Sequence, residues 1–199
     1  MEILDDNITD VEGGHAWAAD NKTFFYTKQD PKTLRDYQIL GGHLFSLISF
    51  YQEEKVGLYL DGIVSKGISA VNVASEIILG SLLASYKFDK YKTVNKKDKK
   101  TLKVKIYSAN HSRIQKNYSN VIAISEGVTM TRNLVTEPPN VMTPPEIAKN
   151  AASLEKYGVE VTILGEKEMT KLGMGSLLSV GRGSEHESKL AIMRWSGHK

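Results

Sequence analysis

Residues 131–146 read Thr131-Arg-Asn-Leu-Val-Thr-Glu-Pro-Pro-Asn-Val-Met-Thr-Pro-Pro-Glu146 and hold two breaks in one short run. A helical pattern from about Ser112 to Val135 runs into Glu137-Pro-Pro-Asn140. There, adjacent prolines remove N–H donors and disfavour helical backbone before them, so the helix cannot continue. At Thr143-Pro-Pro-Glu146 a new helix opens, with Thr as N-cap, Pro at the first helical position and Glu three residues after the cap. It is expected to run to Tyr157 and stop at Gly158.

The pattern outward from this break alternates strand and helix. Downstream, Val159–Leu164 reads as a strand, Glu166–Leu172 as a short helix and Leu190–Trp195 as a strand. Upstream, the β-branched and aromatic run from Lys22 to Thr27 is a strand ending at Gln29-Asp30-Pro31. From Thr33 to Tyr51, apolar residues at Leu34, Tyr37, Leu40, Leu44, Leu47, Ile48 and Tyr51 give a helix with one buried face. Gly41-Gly42 inside it costs about 1 kcal/mol per glycine against Ala, which a close helix-to-sheet contact would explain. Val56–Leu60 is a short strand. Ala70–Tyr86 is a helix with Val71, Ala74, Ile78, Leu82 and Ser85 on one face and Ile77, Leu79 and Leu83 beside it. Leu102–Tyr107 alternates as a half-buried strand. The order predicts an α/β fold with a largely parallel or mixed sheet.

Composition narrows the function classes. The chain has 199 residues, 41% hydrophobic and 25% charged, as in a folded globular protein. The net charge of +3 is −5 over residues 1–60, +8 over 61–120 and 0 over 121–199, so only the middle third offers a basic surface. With no cysteine, disulfides and thiolate metal sites are excluded. The acidic start Met1-Glu-Ile-Leu-Asp-Asp6 is unlike a signal peptide. The most apolar run, Ile77–Ala84, falls well short of the about 20 residues that span a bilayer. A soluble, cytoplasmic protein without a membrane role is the expectation.

Local chemistry offers candidates and a plainer reading of each. His15, His43, His111, His186 and His198 form no pair with metal-ligand spacing. Glu185-His186-Glu187 groups ligand types, but adjacent side chains rarely converge on one ion, and an exposed turn is the better reading. Gly173-Met-Gly175-Ser and Gly181-Arg-Gly183-Ser resemble phosphate cradles, yet neither continues to Gly-Lys-Ser/Thr, so they read as turn glycines. No Gly-x-Ser-x-Gly elbow exists. Between Lys87 and Lys105 lie nine lysines and two acids, with Phe88, Tyr91 and Tyr107 close by. Lys96, Lys97, Lys99 and Lys100 are the candidates for salt-dependent nucleic-acid contact. Lysine without arginine also suits a solvated connection between a helix and a strand.

The opening stretch resembles the segment through which the leucyl (cytosol) aminopeptidases, the two-metal exopeptidases of the M17 type, enter their catalytic domain. The pattern there is Arg-Asp/Asn-Leu-x-x-x-Pro-x-Asn-x-x-Thr-Pro. The likeness continues through Val159–Leu164, Glu168-Met-x-x-Leu-Gly-Met-Gly-Ser176, Ser179-Val-Gly-Arg-Gly-Ser184 and Ile192-Met-Arg-Trp-Ser-Gly197. Upstream, Ala84-Ser-Tyr-Lys-Phe-Asp-Lys-Tyr-Lys92 is similar to the Tyr-x-Phe-x-x-Tyr stretch of the family's N-terminal domain. The resemblance covers most of the chain from about residue 22 and implies three parts. Residues 1–118 would be a reduced, macro-like N-terminal α/β domain, 119–140 a linking helix with a proline-rich break, and 141–199 the incomplete start of the catalytic domain. Few residues precede the strand at Lys22, so the front looks short.

The same resemblance implies a parent activity: release of N-terminal residues from peptides by two divalent metals, manganese or zinc, in a cytoplasmic hexamer. The family's ligands and catalytic groups follow a Val-Gly-Lys-Gly…Phe-Asp-x-Gly-Gly motif and an Asn-Thr-Asp-Ala-Glu-Gly-Arg motif. Neither can be matched in the 199 residues, which stop at Trp195-Ser-Gly-His-Lys199. No catalytic, metal or substrate-binding residue is therefore assigned, and the chain alone is expected to bind no cofactor and to be inactive. The strand Leu190–Trp195 would become a sheet edge, which favours self-association or complementation by a C-terminal fragment. The rival readings are a DNA-contacting module built on Lys87–Lys105, as some family members double as DNA-binding regulators, and a decayed gene product.

Overall fold

The computed structural model of the chain describes residues 9–11, 14–19, 22–26, 31–50, 55–60, 67–94 and 103–197. Contacts divide the chain into two units, Met1–Met130 and Thr131–Lys199. The fold is α/β.

In the first unit, β1 (Thr9–Val11), β2 (Gly14–Ala19) and β3 (Lys22–Tyr26) form an antiparallel sheet in that order. The strand expected at Lys22 thus follows two others among the described residues. There follow α1 (Leu34–Phe50), β4 (Lys55–Tyr59), α2 (Ala70–Ala84), β5 (Lys103–Tyr107) and α3 (His111–Thr136). β4 and β5 pair in parallel from Lys55↔Lys103 to Tyr59↔Tyr107. Parallel neighbours need a long crossover, and α2 provides it. Of the largely parallel or mixed sheet expected, the described residues show parallel pairing at β4–β5 and antiparallel pairing elsewhere, in separate small sheets.

The core of this unit joins Tyr37 and Leu40 of α1, Leu60, Val73, Ala74 and Ile77 of α2, and Ile114 of α3. Leu58 and Ile106 reach it from β4 and β5. On α2 the buried residues are Val73, Ala74, Ile77, Leu79 and Gly80, so Ala74, Ile77 and Leu79 fall as expected while the buried face turns from Val71, Ile78 and Leu82 toward Val73 and Gly80. The reason is a glycine contact. A methyl at Gly41 would run into the Ile77 carbonyl, and one at Gly80 into the Gln38 carbonyl. Each helix therefore seats its backbone against the other. Ser81 Oγ donates to the Gly41 carbonyl at 2.9 Å across the same crossing. Gly41 serves a helix-to-helix contact and not the helix-to-sheet contact expected, because α1 and α2 lie together.

α1 starts with a reciprocal cap. The Asp36 N–H donates to Thr33 Oγ1 at 3.2 Å, and the Asp36 carboxylate accepts from the N–H groups of Thr33 (2.8 Å) and Lys32 (3.0 Å). These bonds, led by the one from Lys32, favour the ionised form and lower the Asp36 pKa from its ordinary 3.8. A carboxyl with a lowered folded-state pKa contributes stability above its ordinary pKa and loses it as pH falls through the folded-state value. Asp36→Asn is therefore expected to melt below the parent at neutral pH. The gap should close as pH drops below 3.8, and melts followed by circular dichroism across that range check it.

In the second unit, α4 (Pro144–Ala152) passes into a 3-10 turn (Ser153–Tyr157). Next come β6 (Glu160–Leu164), α5 (Glu166–Lys171), α6 (Gly175–Gly181) and β7 (Leu190–Arg194). β6 and β7 pair antiparallel, from Glu160↔Arg194 to Leu164↔Leu190. Ala148, Ala151 and Met169 are its buried apolar side chains among the described residues. The helix expected to reach Tyr157 keeps α-geometry only to Ala152, then tightens. Gly158, at φ 85°, closes it with its N–H on the Glu155 carbonyl at 2.9 Å. The expected capping box at Thr143 does not form, since its side chain makes no cap bond. Glu146 pairs with Lys149 at 3.5 Å instead. The two prolines set the start on their own, and the Ile147 N–H reaches the Thr143 carbonyl at 2.9 Å.

Candidate functional site

The two ends of the glycine-rich region build the best-defined polar cluster of the second unit. Gly165 caps α5, and its N–H donates to Glu168 Oε2 at 3.0 Å. Glu187 Oε1 accepts from the Glu166 N–H at 3.3 Å, and Glu166 Oε1 accepts from the Ser188 N–H at 2.9 Å. This reciprocal pair fastens the approach to β7 onto the start of α5. Lys189 Nζ lies 2.6 Å from Glu187 Oε2. That bond, with the one from Glu166, lowers the Glu187 pKa from 4.5. A side chain at Gly165 would meet Glu187 Oε1 at 2.8 Å, so the bare backbone is what lets the carboxylate close in. Glu187 spends both carboxylate oxygens on local donors, and Glu166 and Glu168 spend one each. The cluster is structural, and Glu185, His186 and Glu187 are an exposed turn as the sequence suggests.

The two phosphate-cradle look-alikes separate. Gly173 is a turn glycine at φ 72°. Gly175 and Gly181 instead bound α6, a helix the sequence reading replaced with turns. Gly181 faces Ser188 so closely that a Cβ would meet its hydroxyl.

Ligand-type residues are dispersed. His43 lies on α1, His111 begins α3 and His186 sits in the turn before β7, all three exposed. Among the described residues no three His, Cys, Asp or Glu side chains group so as to hold a metal ion. The described residues thus bring together no donor set of the kind a two-metal centre needs. Lys96, Lys97, Lys99 and Lys100 lie outside the described residues. Of the wider basic stretch, Lys92 pairs with Asp89 at 2.6 Å and Lys90 sits 5.4 Å from the Tyr91 ring centre. Phe88 and Tyr91 pack at 5.9 Å. This aromatic stretch after α2 is thus locally knitted.

Sequence reasoning missed the surface of β4 and β5. Their register places Tyr59 beside Tyr107, and the rings stack at 4.7 Å with planes 12° apart. Lys55, Lys103 and Lys105 share that face by alternation. The signal was available as Lys-x-Gly-x-Tyr59 and Lys-x-Lys-x-Tyr107, two runs of period two with the same ending.

Residues 28–95 match the N-terminal domain of the cytosol aminopeptidase family, and residues 129–199 match that family's catalytic domain. A protein of Caulobacter vibrioides named "Probable cytosol aminopeptidase" is 44% identical over 151 residues, covering 75% of this chain and 30% of that protein. One of the same name from Rhizobium johnstonii is 42% identical over 171 residues, covering 84% and 34%. The chain thus spans about a third of the length of these curated relatives. A solved structure described as "Bottromycin maturation enzyme BotP in complex with Mn" superposes at TM-score 0.74 with 18% identity, over 92% of this chain and 39% of that one. That likeness is one of fold.

Proposed function

Because this chain belongs to the cytosol aminopeptidase family, we propose that it is the N-terminal portion of a leucyl-aminopeptidase-like metallo-exopeptidase, itself without peptidase activity. The observation that carries this is the order of matches: N-terminal domain over 28–95, then catalytic domain over 129–199. The parent reaction is release of N-terminal amino acids from peptides by two divalent metals, manganese or zinc, in the cytoplasm. No helix among the described residues is long and apolar enough to cross a membrane, which accords with that setting. The division into a reduced N-terminal domain (1–118), a linking helix with its proline break (119–140) and the opening of a catalytic domain (141–199) is part of the same proposal.

Inactivity follows from chemistry. Two bridged cations require several carboxylates converging on one point to polarise a carbonyl and supply hydroxide. Neither of the family's ligand-bearing motifs occurs in the sequence, and the described residues offer no such convergence. The purified chain is expected to show no turnover of a leucine chromogenic amide with manganese. Turnover by the pure chain would refute the reading.

The exposed side of β7 supports complementation. β7 pairs only with β6 among the described residues, and Ile192, Met193 and Trp195 are 48%, 55% and 70% exposed. An open edge beside unburied apolar side chains favours addition of another chain. Mixing with the C-terminal two-thirds of the Caulobacter vibrioides relative is the matching arm of the assay. Activity above that of the added fragment alone supports complementation.

A further inference from the structure

We propose that the exposed face of β4 and β5 binds single-stranded nucleic acid, with Tyr59 and Tyr107 stacking bases and Lys55, Lys103 and Lys105 holding phosphates. This goes beyond the peptidase reading and does not depend on it. The opposite face, through Leu58 and Ile106, packs into the core, so alternation leaves these residues pointing outward. Tyr59 is 72% and Tyr107 46% exposed, unusual for large rings on a sheet. They are already stacked on each other, so a base added to the column meets a preformed flat surface. Gly57 sits under them: its missing Cβ would lie 3.2 Å from Tyr107 Cε2 and 3.8 Å from Tyr59 Cε2. A side chain there would press on the Tyr107 ring and lie at ordinary contact distance from Tyr59, so the glycine gives the Tyr107 ring room in the stack.

Charge sets the class of occupant. Lys55 opposes Lys103 directly, and Lys105 opposes Gly57, which places three ammonium groups on the same face as the rings. None of the three lysines forms an ion pair among the described residues. Like charges placed opposite across a sheet are unfavourable. An anionic ligand removes that cost. An anion carrying flat rings at intervals uses both parts of the face, as in proteins that combine a basic track with aromatic stacking. A duplex keeps its bases paired and stacked on each other, so it offers the tyrosines nothing.

The test uses the full chain and a fluorescein-labelled 12-mer of deoxythymidine, followed by fluorescence anisotropy over a salt series. Binding should weaken with salt with a log–log slope of about −2, from three phosphate contacts at roughly 0.7 each. The double variant Y59A/Y107A should bind about 5- to 150-fold more weakly, the range measured for losing one stacked base. Y59F/Y107F should bind as the parent does, because stacking needs the ring and not the hydroxyl. K55A/K103A/K105A, altered only on the exposed face, should lose affinity and most of the salt slope. Its circular dichroism should be unchanged, so the proposal stays testable even where the double alanine variant misfolds. Four results would overturn it: no binding by the parent; duplex bound as tightly as single strand; binding unmoved by the lysine variant but lost when Lys96, Lys97, Lys99 and Lys100 become alanine; or a sedimentation change in the lysine variant, which would mean that a second copy covers the face.

Discussion

Gly80→Ala is expected to destabilise the first unit by about 2 kcal/mol, although alanine is the better helix former. The sign is decided by what the new methyl meets. Replacing glycine in a helix interior gains up to about 1 kcal/mol in propensity. At Gly80 the methyl lands on the Gln38 carbonyl of α1, a backbone atom that cannot move without shifting the whole helix. Overpacking of this kind costs about 1–3 kcal/mol, and a backbone obstacle puts it at the upper end. The Ser81-to-Gly41 hydrogen bond spans the same crossing and would be stretched in the same shift. Gly127 on α3 provides the comparison, because a Cβ there meets nothing within 4 Å. Gly127→Ala should raise stability by about 0.5–1 kcal/mol. Opposite shifts of the urea midpoint for one chemical change would establish the crossing as the cause. Equal shifts would dismiss it.

Met169→Ala is expected to cost about 2–5 kcal/mol and to undo the second unit. Met169 is fully buried, and the other buried apolar side chains of this unit among the described residues are Ala148 and Ala151. Met169 is the large side chain of this unit that is fully buried among the described residues, so truncating it opens a cavity and the loss should fall high in that range. Leu172 on the same turn is 61% exposed, and its replacement by alanine should fall within about 0.5 kcal/mol. Hydrogen exchange at the β6 amides separates the two: fast exchange in Met169→Ala, parent-like protection in Leu172→Ala.

Elements with strong punctuation or strong periodicity were legible in the sequence. Gly158 stopped the helix before β6, and the Glu137–Asn140 break ended α3, because each acts through its own backbone. β1 and β2 were not legible. Gly14-His-Ala-Trp-Ala-Ala19 carries no β-branched residue, and its strand character comes from pairing with β3. α6 escaped for the converse reason, since Gly175 and Gly181 read as turn residues while tertiary context held them helical. Thr143 had the right residues for a capping box, but two prolines left the side chain without that task. The tyrosine pair left only a partial sign, two period-two runs that end alike at Tyr59 and Tyr107, and the register of strands 48 positions apart is what brings the rings together. Family membership, by contrast, was fully legible, because it rests on the order of motifs rather than on contacts.

The boundary between the two units falls at Met130 and Thr131, inside α3 and not in a loop. Twenty of its residues lie on one side and six on the other. A helix interrupted there would expose four carbonyls and four N–H groups that now satisfy each other. The six-residue stub falls far below the roughly 12–15 residues at which an isolated helix becomes even marginal. Proteases cleave backbone that can be drawn out into an extended shape, and a hydrogen-bonded helix resists that. A protease will therefore not part the units at their seam, so gentle proteolysis is the wrong tool for separating them there.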